Sequence, residues 1–211
     1  MHSFVRCFLL LVMACSLVGL AFGTAFASTV LRLDLESLVA NSDQIVVGRV
    51  AELTSKVEGD GRVYTSITID IDETLKGEHQ RRVVVRQIGG RSGDLATIVP
   101  GMPDFKPAEE VVLFLEHVTA RKLPVITGMA QGKFHVALGP DESTRFVVPQ
   151  LAKDLHLVKP TPLPPQEGLP KALGRLREVP ADELYSTVVA LDSFKEQVQA
   201  IVSDQHSTKD H

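Results

Sequence analysis

The sequence predicts a mainly β protein, a small barrel preceded by a short helix and followed by a helical extension. Three observations predict it. Residues 63–75 alternate dry and wet side chains, with Ile67, Ile69 and Ile71 on one side and Thr68, Asp70 and Asp72 on the other. Between residues 44 and 148, five to seven short β-rich runs recur at near-regular spacing, parted by glycine and proline turns. That is the pattern of a sandwich or a small barrel. Gly48 inside the first run marks a bend or a close backbone approach, as at a barrel corner, and favours the barrel.

The elements follow in order. Residues 1–27 read as a signal peptide: Arg6 supplies a positive start, Phe8–Phe22 an almost unbroken apolar run, and Ala25-Phe26-Ala27 the small residues of a cleavage site. An uncleaved anchor over Phe4–Ala27 and a lipobox at Cys15 are the alternatives. Cleavage after Ala27 predicts an exported chain, periplasmic or extracellular. Both cysteines, Cys7 and Cys15, would leave with the signal, so the mature chain would rely on its core rather than on disulfides.

The barrel domain is placed at residues 28–150. Residues 34–41 predict a short helix capped by Asp34, with Leu35, Leu38 and Val39 on one face. Strands are predicted at 44–53, 63–75, 82–88, 111–115, 123–127, 133–138 and 144–148. The run Val111–Leu115 is apolar throughout, which predicts burial on both faces. Residues 151–181 read as a proline-rich linker, because Lys159-Pro160-Thr161-Pro162-Leu163-Pro164-Pro165 favours a stiff polyproline conformation. Residues 182–204 predict an amphipathic helix with Leu184, Val188, Leu191, Phe194, Val198 and Ile201 at three- and four-residue spacing. Residues 205–211 are expected to be a disordered tail.

Composition narrows the function classes. The net charge of −4 gives no electrostatic footprint for a nucleic-acid backbone. Aromatics are 5% and tryptophan is absent, which argues against base or sugar stacking. After signal cleavage no further membrane span is expected. No His-Glu-x-x-His occurs, and the seven histidines have no ligand spacing. No metal, cofactor or catalytic residue is therefore assigned. Asp70, Asp72 and Glu73 form an acidic row that suits Ca²⁺ or acid–base work, against the plainer reading of a solvated strand face.

Two loops are the candidate ligand- or partner-binding residues. In Gly89, Gly90, Arg91, Ser92 and Gly93, successive amides are able to form an anion nest with Arg91 adding charge; the structural reading is a tight turn. Ser92 as a nucleophile lacks a designated histidine base. The loop 100–107 offers Met102 and Phe105 as a recognition surface.

A resemblance covers about half the chain. Leu38–Val50, Tyr64-Thr65, Leu75-Lys76-Gly77, Gly89-Gly90-Arg91-Ser92-Gly93, Pro100–Phe105, Val112–Leu115 and Gln131-Gly132-Lys133-Phe134 occur in an order that resembles a family of uncharacterised exported bacterial proteins. The block is also similar to the N-terminal module of some matrixin-like proteases. In that pattern a glycine precedes Glu109; here Ala108 does. More loosely, the layout is similar to the netrin-like domain of tissue inhibitors of metalloproteinases, which implies an OB-like (netrin-like) barrel. The cysteine those inhibitors use on zinc has no counterpart in the mature chain, so that mechanism does not carry over. The expected function is a non-enzymatic exported binding or adaptor module that contacts a protein or a small ligand, with a secreted or envelope protein as the expected kind of partner. The alternatives are a protease-associated inhibitor, chaperone or targeting domain, and a hydrolase with an unrecognised site.

Overall fold

In the short helix that opens the ordered core, α1 (Leu35–Ala40), Asp34 stands at the N-cap with extended backbone, and its carboxylate accepts the Ser37 N–H at 2.9 Å. That bond satisfies one of the orphan amides of the first turn; the Ser37 hydroxyl, and after it the Ser37 amide, hold the Asp34 carboxyl below its ordinary range. Leu38 and Val39 are buried against the sheet. The computed structural model describes residues 28–118, 123–149, 155–161, 175–178 and 188–209. The expected signal 1–27 lies outside them.

Among the described residues the strands are β1 (Ser28–Leu31), β2 (Gln44–Val57), β3 (Val63–Lys76), β4 (Arg82–Ile88), β5 (Gly90–Ser92), β6 (Leu95–Thr97), β7 (Glu110–Glu116), β8 (Val125–Ile126), β9 (Lys133–Leu138), β10 (Arg145–Pro149), β11 (Leu155–Thr161), β12 (Arg175–Glu178) and β13 (Val189–Ala190). Helix α2 (Leu191–Lys209) follows. The main sheet is antiparallel in the order β13-β10-β9-β7-β2-β3-β4, with β8 also paired to β7.

Its two central strands separate two cores. Ile45, Val47, Val112 and Phe114 face the helices, where Leu191, Phe194 and Val198 of α2 meet them. Val46, Val50, Val111, Leu113 and Leu115 face the other way, onto Ile67, Ile69, Val83 and Val85. The whole run Val111–Leu115 is buried, as its composition predicts. In β3, Ile67 and Ile69 are fully buried, whereas Ile71 is partly exposed because the ladder shifts register between Val47 and Gly48. Gly48 is needed there: a Cβ would stand 2.4 Å from the Asp70 carbonyl oxygen. The three register shifts in the β2–β3 ladder add twist and bend the sheet.

The expected OB-like barrel is corrected. The sheet curls until the Arg86 N–H of β4 reaches the Pro124 oxygen at 3.3 Å, beside β8, but it is not closed into a barrel. Alternation demands a cover for each dry face; it does not specify another strand as the cover. Here α2 covers one face and the curl covers the other.

Several boundaries also move. Helix α2 begins at Leu191, after Val189 and Ala190, which pair with Val147 and Phe146 of β10; residues 182–187 of the expected helix lie outside the described residues. The helix runs to Lys209, through much of the expected tail. Leu184 lies outside the described residues, and Val188 is 55% exposed rather than part of the packed face. Leu155–Thr161 and Arg175–Glu178, within the expected linker, are strands in a small sheet of order β1-β11-β12. Pro160 lies beyond Val158, the last residue of β11 that pairs with β1, and stands opposite Leu176 of β12.

Candidate functional site

Both loops singled out in the sequence converge on one groove. The first leaves β4 at Gly89, whose N–H donates to the Val63 oxygen at 2.9 Å while the Thr65 hydroxyl donates to the Gly89 oxygen at 2.6 Å. Gly89 and Gly90 take φ of 116° and 126°, and a Cβ on Gly90 would lie 2.3 Å from Thr65 Oγ1. Only glycine lets the chain pass this close. The chain then folds back as the β5–β6 hairpin, with Gly93 at φ 59° at its tip. The tight-turn reading accounts for these residues. The amides of an anion nest are not all free, since Gly89 N–H is taken and residues 90–92 pair with 95–97.

The second loop runs from Ile98 to Glu109. Gln87 Nε2 donates to the Pro103 oxygen at 3.1 Å, and the Ala130 N–H to the Gly101 oxygen at 3.0 Å. Gln87 Oε1 is buried without a hydrogen-bond partner. The loop ends at Ala108, which has φ 61° and pairs through its N–H with the Val50 oxygen. The chain thus takes left-handed backbone here at a residue that is not glycine. Ala108→Gly is therefore expected to stabilise the protein by about 0.5 kcal/mol. Relief of about 1 kcal/mol of left-handed strain outweighs the extra freedom glycine gives the unfolded chain. A melting curve checks it, and a lower Tm would contradict it.

Between the two loops lies a groove of about 490 Å³. Gly89, Gly90, Arg91, Met102 and Phe105 line it, together with the 87% exposed Ile98. Ser92 and Gly93 do not line it. Its lining mixes apolar side chains with Ser55, Thr65 and Gln87, and Arg91 and Asp104 bring opposite charges to it. A second cleft of about 260 Å³, by α2, is bordered by Leu38, Phe134 and Phe194 of the core.

Behind the groove wall the structure holds a charged cluster that the sequence did not single out. Lys133 is fully buried, and its Nζ stands 2.9 Å from both oxygens of Glu109, whose side chain is 6% exposed. The same Nζ donates to the Asp104 carbonyl and sits 4.3 Å from the centre of the Phe105 ring. Glu109 also accepts the Lys106 N–H at 3.0 Å and contacts His135 Nδ1 at 3.1 Å. Burial draws the Lys133 ammonium below the ordinary lysine range, against the opposing pull of Glu109. Phe105, expected as a recognition residue, is thus also a packing partner of this pair. The sequence signal was present but weak: Glu109 precedes an apolar strand, Lys133 opens another, and a lysine is almost never fully buried unless paired.

The acidic row does not converge. Asp70 is 2.6 Å from Arg82, and Glu73 is 2.9 Å from Lys195 of α2. Among the described residues no three His, Cys, Asp or Glu side chains are placed to hold a metal, and no helix is long and apolar enough to cross a membrane.

No protein-family model, curated protein or solved structure matches this chain.

Proposed function

We propose that this chain is an exported, non-enzymatic binding module whose groove between residues 89–91 and 102–105 takes an apolar segment of a secreted or envelope protein. One observation carries the proposal. Two loops more than ten residues apart, each built around left-handed backbone, converge on one groove of mixed apolar and polar lining, with the exposed Ile98 among its apolar side chains. Rigid scaffolds that present loops in this way are the usual setting for recognition. The mixed charges of Arg91 and Asp104 suit the polar rim of a protein interface. Export is supported by the tripartite pattern of residues 1–27, and by the resemblance of residues 38–136 to exported bacterial proteins.

The test uses the exported form of the chain as bait, beside an Ile98→Asp/Met102→Asp variant. A partner retained by the parent and lost by the variant at unchanged Tm is the expected result. A partner held equally by both, or turnover of a substrate that survives in the variant, would overturn the proposal.

A further inference from the structure

We propose that the buried Glu109–Lys133 pair is a latch that sets the position of residues 104–106, and with it the open shape of the groove. The consequence for binding rests on the groove reading above; the latch itself does not.

Three consecutive loop residues are each held by this one pair. The Asp104 carbonyl accepts from Lys133 Nζ, the Phe105 ring lies over the same ammonium at 4.3 Å, and the Lys106 N–H donates to Glu109 Oε2 at 3.0 Å. Asp104 and Phe105 are themselves part of the groove lining. The pair belongs to rigid structure on its far side: Lys133 opens β9 opposite Leu113 of β7, and the Glu109 oxygen pairs with the Val50 N–H of β2 at 2.9 Å. The loop wall is thus tied, through two side chains, to the three central strands.

A buried ion pair is a poor device for stability, since its desolvation cost offsets most of its attraction, and apolar residues of like volume do as well. It is a good device for geometry. Lys133 uses its donors on a carboxylate and a carbonyl at defined directions, and Glu109 uses its oxygens on an ammonium, a backbone amide and an imidazole. An apolar pair in the same space would fill the volume without fixing where the 104–106 backbone lies. His135, with a 43% exposed side chain, is the only one of the side chains contacting Glu109 among the described residues that reaches solvent.

The experiment compares hydrogen exchange of the parent with that of Glu109→Gln/Lys133→Met, which removes both charges together and keeps the volume. The latch predicts exchange on the order of tenfold faster at the Lys106 amide, with β2 and β7 unchanged and Tm nearly held. Unchanged protection at the Lys106 amide with the pair gone would overturn it. Should that variant not fold, Phe105→Leu keeps both charges and removes the ring over the ammonium; a few-fold rise at Lys106 supports the latch, and none overturns it. Exchange is read without any ligand. Failure of the latch is therefore distinct from failure of the groove reading, which shows as a partner indifferent to Ile98 and Met102.

Discussion

Replacing Phe194 with alanine is expected to cost about 3–5 kcal/mol and to loosen α2 from the sheet. Phe194 is 6% exposed and completes an aromatic cluster whose ring centres lie 5.1 Å from Phe134 and 6.4 Å from Phe114. Tilted and edge-on pairs of this kind add to the burial of the ring itself. Around it Leu191, Val198, Leu38, Val39 and Val147 share the same core, so the vacated space has few ways to collapse. Urea unfolding checks the value. A loss under about 1 kcal/mol would mean that α2 is not part of the cooperative core.

The second large effect is expected at Lys133. Lys133→Met leaves the Glu109 carboxylate buried without its cation, and breaking one side of such a pair costs about 3–5 kcal/mol. His135 and the Lys106 amide still reach Glu109, which places the expected loss toward the lower end. Adding Glu109→Gln to the same chain is expected to recover most of it, because the charge left stranded is then gone. The coupling between the two substitutions in a double-mutant cycle is the measured quantity. Additive losses would show that the two side chains do not act as a pair.

Much of the fold was legible because it rests on local periodicity. The alternation of residues 63–75, the capped helix at Asp34, the buried run Val111–Leu115 and the strand Lys133–Leu138 all stand where patterning puts them. The strand interruption at Gly48 was legible too, as a close approach of two backbones. The site was half legible. Glycines and prolines announced both loops, since left-handed backbone and tight turns need particular residues. Their convergence was not announced, because it depends on how the β5–β6 hairpin between them folds back and on the Gln87 side chain reaching the Pro103 oxygen. Lys133 and Glu109 escaped notice for a related reason: a charged residue beside an apolar run reads as a solvated strand end until its partner, 24 positions away, is known. Val189 and Ala190 show the opposite error, where helical spacing was overruled by an open edge on β10.

By itself, the sequence determined the main-sheet strands between residues 44 and 148, which of their faces are dry, and where the chain turns between them, because those properties depend on neighbours within a few residues. Only the tertiary structure decided what covers each dry face. Both a closed barrel and an open sheet under a helix satisfy the same alternation, and the choice lay in the packing of Phe194 and its neighbours onto β7 and β9. The same long-range packing brought Lys133 to Glu109 and two distant loops to one groove, which no local pattern encodes.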